Sequence, residues 1–94
     1  MLNYSGAGNA TNVAAADTTL VHTGGGILKH ITINGGTLTG TIAVYDGIDA
    51  DGDLIATIGA NQVNGNVYPY DVIVETGICV VSSANVDFTV CYNS

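Results

Sequence analysis

The sequence predicts an all-β fold, a compact antiparallel β-sandwich or jelly-roll-like domain of about seven or eight strands. Three observations carry that expectation. Asp, Glu, Lys and Arg together make up only 10% of the 94 residues, too few to clothe the wet faces of helices. Val, Ile and Thr recur at alternate positions, the period at which a strand turns one face to a core and the other to water. Short apolar runs alternate with Gly and Asn turn signals at a spacing of about 8–12 residues.

Taken in order, residues 1–16 hold Ala, Asn, Gly and Thr with little apolar content. They read as an extended N-terminal arm or a short edge strand whose order depends on a neighbour, and 17–94 as a single β-sandwich domain. The first strand of that domain falls at about 18–22, and Gly24-Gly25-Gly26 ends it. Residues 27–34 form the next, with Ile31 and Ile33 on one face, closed by the turn Asn34-Gly35-Gly36. In 39–45, Thr41, Ala43 and Tyr45 alternate with Ile42 and Val44, and this run pairs with 54–58 as a hairpin around the acidic segment 46–53. Asn64-Gly65-Asn66 leads into Val67-Tyr68-Pro69-Tyr70, whose proline cannot donate to a ladder and so marks an edge or a strand boundary. Val72 and Val74 alternate with Asp71 and Glu75, and Thr76-Gly77 precedes a strand at 78–82. Ser83-Ala84-Asn85 turns the chain into its clearest half-buried strand, with Val86, Phe88, Val90 and Tyr92 on one face. No amphipathic helix pattern and no repeat of fixed period is present.

A domain of this size buries about 60–65% of its unfolded surface, so it supports one modest core and gains from a partner chain. Lys29 is the only Lys or Arg against eight acidic residues, a formal net charge of −7. That leaves no basic patch for phosphates or anionic lipid, so neither nucleic acid nor membrane is an expected partner. The start, Met1-Leu2-Asn3-Tyr4-Ser5-Gly6, has neither a positive charge nor an apolar run, so no signal peptide is expected. No stretch approaches the roughly 18 consecutive apolar residues of a spanning helix.

Chemistry-bearing candidates are few. Asp46-Gly47-Ile48-Asp49-Ala50-Asp51-Gly52-Asp53 places carboxylates beside glycine, as calcium loops do. Counted from Asp49, however, an EF-hand loop needs Gly at 54 and Glu at 60, where Leu54 and Ala60 stand. The segment therefore reads as an acidic hairpin tip, with Asp49, Asp51 and Asp53 as a weak calcium candidate and no cofactor expected. Cys79 and Cys91 fall on consecutive strands that a three-residue turn centred on Asn85 would set opposite each other. They read as free thiols, or alternatively as a cross-strand disulfide. His22 and His30 read as surface positions on strands, and no nucleophile-and-base spacing points to an enzyme. Among the tyrosines, Tyr45 and Tyr92 continue alternating faces as core-edge residues, whereas Tyr68 and Tyr70 flank Pro69 at an exposed boundary. Leu2 and Tyr4 in the arm, with Tyr68 and Tyr70, are the candidate interface residues.

The succession Gly26-Ile27-Leu28-Lys29-His30-Ile31-Thr32-Ile33, Thr41-Ile42-Ala43-Val44-Tyr45-Asp46-Gly47, Leu54-Ile55-Ala56-Thr57-Ile58, Tyr70-Asp71-Val72 with Thr76-Gly77-Ile78, and Val86-Asp87-Phe88-Thr89-Val90-Cys91-Tyr92 resembles small all-β structural proteins of tailed bacteriophages, capsid decoration (cement) proteins among them. The resemblance spans roughly residues 20–92 and lies in strand-and-turn wording, not in an active-site motif. It implies a sandwich or jelly roll, often a homotrimer, seated on the outer capsid at three-fold positions, where it staples neighbouring major capsid protein subunits. The Cys79 and Cys91 pair departs from what that role requires. Similar domains occur in tail and fibre proteins, so a receptor- or carbohydrate-binding module is the alternative. A pilus-like subunit that polymerises by strand addition is a third reading. Apolar residues on both faces of 72–74 and 78–81 predict that another subunit covers one of these strands.

Overall fold

The computed structural model describes residues 9–14, 16–35, 40–59, 66–84 and 86–93. Eight strands run in chain order: β1 (Asn9–Val13), β2 (Thr18–Thr23), β3 (Gly26–Gly35), β4 (Ile42–Asp46), β5 (Asp53–Ile58), β6 (Val67–Val74), β7 (Gly77–Ser82) and β8 (Asp87–Asn93). They form two four-stranded antiparallel sheets, ordered β1-β8-β3-β6 and β2-β7-β4-β5. The expectation of an all-β antiparallel fold of about seven or eight strands therefore holds, with eight observed.

The pairing has a simple origin. β1 pairs with β8, β2 with β7, β3 with β6 and β4 with β5, and partners lie nearly symmetrically about residue 50. Asn9 meets Tyr92, Thr18 meets Val81, Gly26 meets Val74 and Ile42 meets Ile58. The chain is one long antiparallel hairpin folded at the acidic tip and then rolled up. Of the four, only β4 and β5 are consecutive in sequence, which is why local pattern found that hairpin and none of the others.

Of the segment read as an arm or short edge strand, Asn9–Val13 is the edge strand of the first sheet, and its Val13 enters the core opposite Phe88. Leu2 and Tyr4 lie outside the described residues. The inner faces of both sheets share a single cluster. Leu28, Ile31, Ile33, Val74, Phe88 and Val90 come from the first sheet, and Ile42, Val44, Ile58, Ile78 and Val80 from the second. The alternation read for the last strand holds, since Val86, Phe88 and Val90 are buried and Tyr92 packs against the core. Every buried side-chain nitrogen or oxygen among the described residues has a hydrogen-bond partner. Ser82, the buried polar residue of β7, donates from Oγ to the Ala84 carbonyl at 2.7 Å.

Bulges reset the alternation in the first sheet. β3 carries one extra residue, Lys29, against β8, because Leu28 faces Tyr92 while His30 faces Cys91. This is why Leu28 and Ile31 both point inward despite their odd spacing. β6 carries a further extra residue against β3, and there Asp71 adopts φ +52°, a left-handed conformation that aspartate tolerates better than a branched side chain.

Candidate functional site

One end of the molecule is built around a single carboxylate. Asp46, the last residue of β4, accepts backbone hydrogen bonds from Thr76 at 2.9 Å, Glu75 at 3.0 Å and Gly77 at 3.3 Å. The β6–β7 turn thus closes on the β4–β5 connection. Gly47 N–H donates to the Gly77 carbonyl at 3.2 Å and Gly24 N–H to the Thr76 carbonyl at 2.8 Å, so three turns are tied together there. The Thr76 and Glu75 bonds, in that order, hold the Asp46 carboxyl below its ordinary value of 3.8, against a smaller opposing effect of desolvation.

Because the folded-state value is depressed, Asp46 contributes stability above the unfolded aspartate value of about 3.9, and that contribution is lost as pH falls through the lower folded value. Replacing Asp46 with Asn is expected to cost about 1–2 kcal/mol at neutral pH, solvent screening limiting the loss at this largely wet position. Denaturant melts of both proteins from pH 7 down to pH 2 check this (about five units, spanning the carboxylate range). The gap between them should close below about pH 4, and a pH-independent gap would refute a charge-based role.

The weak calcium candidate does not assemble. Asp49, Asp51 and Asp53 are all exposed, and Asp49 Oδ1 accepts from the Asp51 N–H at 2.9 Å, closing its own turn. Among the described residues, no three His, Cys, Asp or Glu side chains stand close enough to hold a metal ion. The acidic segment is a hairpin tip whose structural carboxylate is Asp46.

The expected neighbourhood of Cys79 and Cys91 is corrected. β7 and β8 lie in different sheets, so Cys79 pairs with Leu20 and Tyr45, and Cys91 with Ala10 and His30. Both thiols are free. The chain crosses from one sheet to the other between them, which a turn centred on Asn85 does not reveal. Burial first, and the Asp49 charge second, push the Cys79 thiol up, so it stays protonated and unreactive.

The tyrosines are also redistributed. Tyr68 and Tyr70, expected at an exposed boundary, are half-buried and pack against the core. Burial first, and Tyr68 second, raise Tyr70 above its ordinary value of 10.0. Pro69 between them takes the outward position instead, as the bulged edge strand β6 requires. Tyr92 packs on the core, and its ring lies 5.1 Å from that of His22 in a tilted arrangement; His22 Nε2 lies 3.1 Å from the Gly25 carbonyl. Tyr45 goes the other way: Ile42 and Val44 of its strand face the core, so Tyr45 faces outward from the second sheet.

That outward face differs sharply from its counterpart. On the first sheet, Asn12 donates to Asp87, and Asn34 donates to Asp87 at 3.0 Å and to Thr89 at 2.6 Å, a polar ladder across β1, β8 and β3. Those two amides, Asn12 first, hold the Asp87 carboxyl below its ordinary range. On the second sheet, one cross-strand row reads Leu20, Cys79, Tyr45, Leu54 and the next Thr18, Val81, Ala43, Thr57. Neither row contains a charge. Leu20 and Leu54, on the two edge strands, remain 48% and 58% exposed. The acidic connection between β4 and β5 borders this face at one end.

Sequence reasoning missed Leu20 and Leu54 as surface residues, because an apolar residue in a β-branched run reads as core. The available signal was the pair of apolar faces at 78–81: with Ile78 and Val80 inside, the strands beside Cys79 and Val81 had to carry the second face. Compared with protein-family models, with curated protein sequences and with solved structures, the chain has no match.

Proposed function

We propose that this chain is a jelly-roll-like β-sandwich acting as a non-enzymatic structural protein of a phage virion. In this reading it is a capsid decoration protein that binds the outer capsid as a homotrimer, contacts the major capsid protein and stabilises the expanded shell. The observation that carries the reading is the rolled pairing of β1 with β8, β2 with β7, β3 with β6 and β4 with β5. Two nested Greek keys of this kind are the jelly-roll arrangement, which viral shell domains use and lectin domains share. Such a closed arrangement suits a binding role that relies on surface and not on a reactive group. The sequence resemblance to decoration proteins supplies the capsid and the three-fold arrangement. The mechanism is mass action: a trimer that binds only the expanded shell stabilises that state, and three equivalent contacts add avidity.

The test is the solution mass of the purified protein by light scattering, with and without a calcium chelator, followed by co-sedimentation with expanded capsids. A chelator-insensitive trimer of the 9.5 kDa chain that sediments with capsids is the expected result. A monomer, or an assembly that calcium removal disperses, favours the receptor- or carbohydrate-binding alternative and overturns this one.

A further inference from the structure

We propose that Asn34 is a site of spontaneous chemical modification, deamidated through the backbone nitrogen of Gly35, and that the product loosens the polar ladder anchoring β1. Deamidation needs an exposed asparagine, a following residue with no side chain in the way, and a local backbone free to leave the extended form. All three meet at the end of β3. Asn34 is exposed and Gly35 follows it. Ile33 pairs with Phe88 and Gly35 with Asp87, so Asn34 is the extra residue of a bulge and has no partner of its own on β8. β3 ends at Gly35, where local opening costs less than in mid-strand. Asn12 is the contrast, since it pairs directly with Thr89 and precedes the branched, buried Val13.

The reaction balances as an amide plus water giving a carboxylate plus ammonium. The Gly35 nitrogen, having lost its proton to solvent, attacks Asn34 Cγ. The bond from Cγ to Nδ2 breaks, and ammonia leaves with a proton from solvent. Water then opens the cyclic imide at either carbonyl, which leaves aspartate or isoaspartate at 34. The ladder opposes the first step. Asn34 Nδ2 donates to Asp87 Oδ1 at 3.0 Å and to Thr89 Oγ1 at 2.6 Å, so both amide protons are engaged. It also suffers the consequence, because the new carboxylate has no N–H to donate and sets a negative charge beside Asp87 in a chain already at −7. Asp87 Oδ1 is the atom to which Asn12 of β1 donates as well. Repulsion at 34 therefore strains the tie between β1 and β8, while the bond from Asn12 to the Phe88 carbonyl at 3.2 Å keeps β1 from being released outright.

The experiment incubates the full chain, folded, at neutral to mildly alkaline pH and follows residue 34 by peptide mapping and mass spectrometry. The readout is the mass gained when NH2 becomes OH, with aspartate and isoaspartate separated by chromatography. The same chain in urea gives the unguarded rate, and Asn64-Gly65, outside the described residues, verifies detection. Asn34 should be modified in the folded chain, more slowly than in urea. Gly35→Ala should slow the reaction about tenfold or more, the change that about 1.4 kcal/mol of added barrier gives. A Cβ at 35 would meet Asp87 Cβ at 3.5 Å, an ordinary contact, so the fold accommodates it. Thr89→Val removes one acceptor from the Asn34 amide and should speed the reaction about 2- to 10-fold, the weight of one hydrogen bond. Asn34→Asp, one of the two products, should show faster amide hydrogen exchange in β1 than the wild type. A folded chain whose Asn34 keeps its amide while the urea sample loses it overturns the proposal, and so does a rate that Gly35→Ala leaves unchanged. Wild-type exchange of β1 in Asn34→Asp overturns the loosening of the ladder.

Discussion

Truncating Phe88 to Ala is expected to destabilise the domain by about 3–5 kcal/mol, the largest effect of any single change considered. Phe88 is the only phenylalanine, is fully buried, and sits on β8 where that strand pairs with both Val13 of β1 and Ile33 of β3. Its ring therefore joins the edge strand to the centre of the sheet as well as filling the space between sheets. The loss combines the transfer of the ring from water with the cavity it leaves, which β-branched neighbours such as Val90 and Ile33 are too stiff to fill. For a domain of this length the change should lower Tm by about 12 °C or more, measured by thermal denaturation. Ile73→Ala, at a position 78% exposed, is the control and should shift stability by no more than about 0.5 kcal/mol. Equal melting of the two variants would show that the core is not centred on β8.

Gly77→Ala is expected to cost about 2–3 kcal/mol for one added methyl group. A Cβ at Gly77 would lie 2.5 Å from the His22 carbonyl oxygen and 2.9 Å from that of Gly47. Both obstacles are backbone, and both belong to segments already held in place, β2 by its pairing with β7 and Gly47 by its bond to the Gly77 carbonyl. No side chain can rotate away, so the three turns tied together at that end must separate. Gly59→Ala makes the comparison clean, because nothing lies within 4 Å of a Cβ built there. Urea denaturation should find Gly59→Ala close to wild type and Gly77→Ala shifted to a lower midpoint. If the two behave alike, the close approach at Gly77 is not what holds that end together.

The same end shows how far the candidate site was legible. That 46–53 is an acidic hairpin tip follows from its composition and from the alternating runs on either side. Which of its carboxylates matters does not follow. Asp49, Asp51 and Asp53 have the spacing of ligands yet face water, whereas Asp46 meets three N–H groups about thirty residues further along the chain. Only the roll of the hairpin brings the β6–β7 turn to it. The outward face of the second sheet has a similar history. Apolar residues on both sides of 78–81 signalled that a second face would be covered, but the leucines flanking it, Leu20 and Leu54, come from strands distant in sequence.

What alternation and composition carry unaided is local: the strand class, the inward set Val86, Phe88, Val90 and Tyr92, the hairpin of β4 and β5, and the near absence of positive charge. Each depends on the two-residue alternation of a strand or on composition, and neither needs a partner to be read. The tertiary structure decided which strands are neighbours and therefore which side chains share a surface. It separated Cys79 from Cys91 into different sheets, turned Tyr68 and Tyr70 inward, and left Leu20, Tyr45 and Leu54 in one outward row. The physical reason is that alternation assigns a face to each residue, whereas neighbours are chosen by closing two sheets over one core, a choice made by the whole chain at once.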